Sequence, residues 1–485
     1  MTAQTPGSLS RRAFLGASAS LGLSASAGAA PSSGQETASE VVIRAGHVVS
    51  MDDDVGELWA GDVHVRDGAI VDVSENISAP GVEEIDARGM IVMPGFIDTH
   101  WHMWHAVQRN VLRKGRSYFQ AKYALSAHYD PEDVYNGNRL ALAEAIDAGF
   151  TTVHNFAHNV RTPAHADAEL SAWAELGMRG RYSHGWIDGM PNDEAMPSGE
   201  LTRLKDKWIG TDSPTRGLVT LGRAVRGPMY TEYGVYAPEI REAHDLGLPV
   251  TMHAGITPAR TISAVELHRH GFLNDQTMLV HFLHATEADR RVMVENGVSL
   301  SSSIRSELRD STSDGFRSQF FRMRAAGVNA CLSAVDGNMY GPSSMFDAMA
   351  TLWSLCVPWD GTDSADHPKV THRECLEMAI GNGASALGMH DRVGSLTPGK
   401  RADLVLVRAD DLNMAPFTPS TEAATALVTS ARVANVDTVM MDGVVRKRHG
   451  ELIGVNTAEI VERAARSLHG ILSRAGGEWT PSPLA

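Results

Sequence analysis

Short apolar runs recur through the middle of the chain, each bounded by glycine or polar residues. They are "IVMPGFIDT" (91–99), "FTTVHNF" (150–156), "GRYSHGW" (180–186), "GLVTLGRAV" (217–225), "PVTMHAG" (249–255), "MLVHF" (278–282), "GVSLSS" (297–302) and "NACLSAVD" (329–336). Runs this short, bounded by turn residues, read as buried strands. Between them, "NRLALAEAIDAG" (138–149), "APEIREAHDLG" (237–247) and "ATEADRRVMVENG" (285–297) read as helices. Each stops at glycine, the residue best able to adopt the left-handed conformation of a helix C-cap. Strands alternating with helices over 91–388 predict the α/β class and a (β/α)8 TIM-like barrel.

The pattern changes on both sides of this region. From 41 to 90, "VVIRAGHVVSM", "GDVHVRDGAIVDV" and "GVEEIDARG" are β-rich pieces separated by Asp-Gly and Arg-Gly turns. Similar writing returns in "GSLTPGKRADLVLVRA" (394–409) and "VDTVMMDGVVRKRHGEL" (436–452). The flanks 41–90 and 389–456 are therefore expected to pair into a small composite β-sandwich domain, with the barrel inserted between them. Residues 457–485 are expected to add a helix and tail. Residues 1–30 read as a leader: Arg11 and Arg12 precede Phe14, Leu15 and an alanine-rich apolar run, the pattern of a twin-arginine export signal. Export to the periplasm or beyond follows as an expectation, with no later run apolar enough to hold the chain in a bilayer.

Charge narrows the choice of partner. The 485 residues carry 43 Lys and Arg against 58 Asp and Glu, a formal net charge of −15, so the basic excess that binds a phosphate backbone is missing and nucleic acid is excluded. Three cysteines, Cys331, Cys356 and Cys375, are too few and too far apart for a disulfide framework or a thiolate zinc cluster.

Histidine carries the candidate chemistry. His100 and His102 follow the first predicted strand, His154 and His158 the second, His253 and His281 end the fifth and sixth, and Asp336 ends the eighth. Barrel enzymes hold their chemistry at the carboxyl ends of strands. Alternation along extended backbone turns His100 and His102 to one side and Trp101 to the other, so the two imidazoles can share an ion. Imidazoles with a carboxylate suit zinc or iron. One such histidine alone is ordinarily a hydrogen-bonded core residue; several at successive strand ends favour a metal site. Trp104 and His105, just past the first strand, are placed to line a pocket, and Asp98 reads as support for a neighbour.

"PGFIDTHWH", taken with "VTMHAG", "LVHFLH", "LSAVDGN" and "GSLTPGKRADLVLV", resembles the amidohydrolase superfamily over about 41–455. The resemblance is nearest to its cytosine-deaminase-like and triazine-hydrolase-like branch, as "AGFTTVHNFAH" (148–158) indicates. It implies that His100, His102 and His253 are metal ligands, that Asp336 is a ligand or the catalytic base, and that His281 is catalytic and touches substrate, polarising it or steadying the leaving group. His154, His158 and Trp104 are its expected substrate contacts. The fourth run, "GLVTLGRAV", lacks the lysine of binuclear members, so one divalent ion is implied, zinc first and iron second. A small-molecule substrate and a homo-oligomer are implied as well. The chain departs from the deaminating pattern at Ile256, where that branch carries a glutamate; either Asp336 moves the proton alone, or Glu307 in "SSSIRSEL" substitutes. The expected function is hydrolysis of a non-peptide C–N bond in a small cyclic amide or amidine. Deamination or dechlorination of a heterocycle comes second, and a metal-free binding scaffold third.

Overall fold

The computed structural model describes residues 40–111, 117–255, 263–310, 313–334, 341–356 and 370–479. The expected leader, Ile256 and Asp336 lie outside them. Among the described residues, seventeen strands form two sheets. In chain order they are β1 (Val41–Val49), β2 (Glu57–Arg66), β3 (Ala69–Ser74), β4 (Glu83–Asp86), β5 (Met90–Pro94), β6 (Phe96–Trp101), β7 (Phe150–Ala157), β8 (Arg179–His184) and β9 (Val219–Ala224). They continue as β10 (Val250–Ala254), β11 (Thr277–His281), β12 (Ser299–Ser303), β13 (Ala330–Ser333), β14 (Leu404–Arg408), β15 (Val436–Met441), β16 (Val444–Arg448) and β17 (Glu451–Leu452).

Strands β6 to β13 pair in sequence order and in parallel, the eight strands of the expected barrel. β6 and β13 are joined by side chains: Thr99 Oγ1 donates to Leu332 O at 2.8 Å, Ser333 Oγ to His100 O at 2.5 Å, and Ala334 N to Asp98 Oδ2 at 2.9 Å. Asp98 also accepts from His100 N at 2.9 Å, so its buried carboxylate braces the backbone of a predicted ligand. Cys331, Cys356 and Cys375 are all buried.

The other nine strands come from both ends of the chain and form one mixed sheet, with β5 central between β1 and β14. Its own apolar core includes Val41, Ile43, Val63, Ile70, Leu404, Leu406 and Met440.

One feature differs from the sequence reading: the run 91–99 is two strands, not one. β5 belongs to the composite sheet and β6 opens the barrel, with Gly95 between them. Gly95 N donates to Asp403 O of the composite domain at 3.1 Å, and a Cβ at Gly95 would meet Thr151 of the barrel at 2.2 Å. Only glycine lets the backbone pass so close to Thr151 while changing sheets. A buried ion pair holds the same seam: Arg179 of β8 bonds Asp403 at 2.6 and 3.1 Å and Asp442 at 2.6 Å.

Helices cover the barrel, and capping fixes where they start. Thr286 and Asp289 form a reciprocal capping box at the helix Glu287–Glu295. Asp130 and Asp133 form another at α2 (Pro131–Asp147), which packs on the preceding α1 (Tyr118–Ser126) region and on the C-terminal helix Thr457–Ala475. No helix among the described residues is long and apolar enough to cross a membrane.

Candidate metal centre

His100 and His102 leave the end of β6 on one side, and Trp101 between them turns into the apolar core beside Phe150, as strand alternation requires. His253, near the end of β10, completes a group whose ligand atoms all lie within 4.8 Å of one another. His102 Nδ1 lies 3.0 Å from the carbonyl oxygen of Phe156, which can only accept. The ring proton is therefore on Nδ1, and Nε2 carries the lone pair. That Nε2 is 3.3 Å from His253 Nε2. Burial, followed by the neighbouring His158, His100, His253 and His105 imidazoles, holds the His102 pKa well below its ordinary value, so the ring is neutral. A neutral imidazole with its far nitrogen tied to a carbonyl is the form in which histidine binds a metal. The donor set thus fits a divalent ion such as zinc, with all three ligands nitrogen.

The group opens into a cavity of about 180 Å³. His281, at the end of β11, lines it, its ring stacked on His253 with centroids 5.6 Å apart. The backbone at His281 and Phe282 takes positive φ, +71° and +43°, a left-handed excursion that turns the chain away at the strand end. Behind His281 stands Glu307, buried on the helix Ile304–Asp310, with Oε1 3.0 Å from His281 Nδ1. Tyr118, Phe119, Tyr123, Trp186 and Tyr230 supply aromatic walls.

Of the expected substrate contacts, the structure brings His158 and His281 to the cavity and leaves His154 and Trp104 away from it. His154 is pinned inside the barrel by Thr99 O at 2.7 Å and Ser183 Oγ at 2.8 Å. Trp104 and His105 are also fully buried. Trp104 packs on Tyr129 and donates Nε1–H to His158 Nδ1 at 3.4 Å, so it supports a cavity residue from beneath. The chain turns into a short 3-10 helix, Met103–Gln108, directly after the ligands, and this carries Trp104 and His105 inward.

Among the cavity residues that escaped the sequence reading is an oppositely charged pair. Lys122 on α1 and Asp188 after β8 are both buried, with Nζ 3.1 Å from Oδ1, and Lys122 Nζ is also 3.1 Å from His158 Nε2. Burial raises the Asp188 pKa, opposed by Lys122. Asp188 lies just past a predicted strand end, the one signal that would have found it; Lys122 sits in a helix with nothing to single it out. Arg226 and Arg309 line the cavity, whereas Arg109 pairs with Glu144 and Arg305 reaches Pro342 O.

Comparison with known proteins agrees with this architecture. Residues 91–446 match the amidohydrolase family. The 5'-deoxyadenosine deaminase of Methanosarcina acetivorans is 26% identical over 461 residues, covering 90% of this chain and 99% of its own. A 5-methylthioadenosine/S-adenosylhomocysteine deaminase of Desulforudis audaxviator is 26% identical over 448 residues, covering 88% and 98%. The structure of an adenosine deaminase from Xanthomonas campestris with bound zinc superposes with a TM-score of 0.77 at 26% identity, covering 89% of this chain and 98% of that one. A barrel with imidazoles gathered at its strand ends is the framework of a metal-dependent hydrolase. The chain belongs to the amidohydrolase family and is a hydrolase of carbon–nitrogen bonds.

Proposed function

We propose that this protein is a zinc-dependent deaminase acting on an adenine nucleoside or a close analogue, with His100, His102 and His253 holding the ion. The observation that carries the reading is the gathering of the His100, His102 and His253 imidazoles within 4.8 Å of one another, next to a cavity whose aromatic walls suit a flat heterocycle. Preference for deamination over opening of a cyclic amide rests on the relatives, deaminases of adenine nucleosides over about nine-tenths of this chain. It reverses the order drawn from Ile256.

When bound, zinc would lower the pKa of a water toward neutrality. The chain's own residues do the rest. The Phe156 carbonyl keeps His102 Nε2 available for ligation. Tyr118, Trp186 and Tyr230 orient the ring plane, and the Lys122–Asp188 pair offers a donor and an acceptor at the cavity wall. Asp336, just beyond β13, is assigned the general base: it takes a proton from the attacking water and returns it to the departing nitrogen. Water and the amino-substituted ring become ammonia and the oxo-substituted ring.

The test is incubation of the zinc-loaded protein with adenosine, 5'-deoxyadenosine, 5'-methylthioadenosine and S-adenosylhomocysteine, read by ammonia release and product mass. Exchange of the amino nitrogen for oxygen supports deamination. Gain of a whole water, or no turnover of any of the four, overturns it. Export by the leader is proposed alongside, and replacing Arg11 and Arg12 by lysine should then retain the precursor in the cytoplasm.

A further inference from the structure

Glu307 is a buried carboxylate whose partners hold it against His281. Oε2 accepts from Ser302 Oγ at 2.6 Å and Oε1 accepts from Ser303 N at 2.7 Å. Both donors come from the end of β12, four and five residues before Glu307, so the carboxylate is clamped by its own local chain. The remaining direction of Oε1 meets His281 Nδ1 at 3.0 Å. A carboxylate that already accepts two hydrogen bonds accepts a third here, which places the ring proton on Nδ1. Nε2, on the opposite side of the ring, is then the nitrogen on the cavity side, and in the neutral ring it is an acceptor.

We infer that Glu307 is a positioning residue that fixes His281 in the Nδ1–H tautomer, so that His281 accepts a hydrogen bond in the cavity and selects a reacting edge bearing N–H or O–H rather than a bare carbonyl. The inference deepens the deaminase reading and rests on it for its chemistry: an amino-substituted ring presents N–H donors at the reacting carbon, whereas a cyclic amide presents only a carbonyl acceptor there. The left-handed backbone at His281 agrees with a ring held in one set orientation.

Glutamine separates positioning from charge. In Glu307→Gln the amide oxygen can still accept from Ser303 N and His281 Nδ1, while the amide nitrogen donates to the Ser302 hydroxyl, which can accept. Glu307→Ala removes the acceptor altogether. The zinc-loaded protein, labelled with 15N in its histidine rings, is examined by long-range 1H–15N NMR, with the His281 signals identified by their loss in His281→Asn. Kinetics on the best substrate of the proposed set run in parallel. The Nδ1–H pattern is expected in the wild type and Glu307→Gln and lost in Glu307→Ala. kcat/KM should fall roughly 10- to 100-fold in Glu307→Ala, as for loss of a residue that orients a ligand group, and by clearly less in Glu307→Gln. The double variant His281→Asn/Glu307→Ala should be no slower than His281→Asn alone.

An Nε2–H pattern in the wild type overturns the inference, as does an independent, multiplicative loss in the double variant. So does Glu307→Gln as inactive as Glu307→Ala. Because the NMR pattern is read without substrate, it stands or falls separately from the deaminase reading. If Glu307→Ala does not fold, the wild-type and Glu307→Gln patterns still decide.

Discussion

Lys122 Nζ lies 3.1 Å from Asp188 Oδ1, and both side chains are buried where the cavity wall meets His158. Removing one member of such a pair strands the other charge in a poorly solvated site. Lys122→Met is expected to cost about 3–5 kcal/mol of stability. Adding Asp188→Asn should recover most of that loss, and urea unfolding of the single and double variants measures it.

The purified protein should hold about one divalent ion per chain, the count expected of a single His-based catalytic site. Elemental analysis should find that ion lost from the double variant His100→Ala/His102→Ala. Chelation of the wild type should lower its melting temperature and abolish turnover, and added zinc should restore both, because an ion bound only by the folded state stabilises it.

His154 is assigned to the barrel wall, with both ring nitrogens hydrogen-bonded inside it. His154→Ala should therefore lose about 1–3 kcal/mol, the cost of leaving buried partners unsatisfied. Its metal content and KM should stay close to the wild type. A large rise in KM with unchanged stability would return His154 to the list of substrate contacts.

Glu169 is buried beside Asn155, and burial raises its pKa to about 8, partly offset by hydrogen bonds from Tyr182, Asn138 and Asn155. Below the ordinary glutamate range the folded and unfolded chains both keep the proton. Between that range and about 8 only the folded chain keeps it. Stability from this group therefore declines as pH rises through that window and levels off above it. Melting temperatures taken from pH 5 to pH 9 should fall less steeply in Glu169→Gln than in the wild type.

How much of this could be read from the chain alone depends on how locally each feature is encoded. The barrel strands were legible because burial on both faces forces short continuous apolar runs, and His100, His102, His253 and His281 were legible because strand ends face the chemistry. Gly95 shows the first limit: "IVMPGFIDT" reads as one strand, and only the proximity of Thr151 and Asp403 reveals that it serves two sheets. His154 shows the second, since alternation says which side a ring leaves the strand but not which partners await it. Lys122 and Asp188 meet across two connections whose course no periodicity encodes. Asp336 and Ile256 lie outside the described residues.

The passage through Gly95 has a consequence for how the protein could be altered. His100 follows Pro94, the residue paired with Leu404 in the composite sheet, after only a few residues of extended backbone. Extended chain has almost no slack, so the height of the first two imidazoles above the barrel floor is set by strands contributed from the far end of the sequence. The two sheets are therefore poor candidates for modular exchange. Grafting this barrel onto another flanking sheet, or trimming the chain before Leu404, would remove the anchor from which its reactive end is measured.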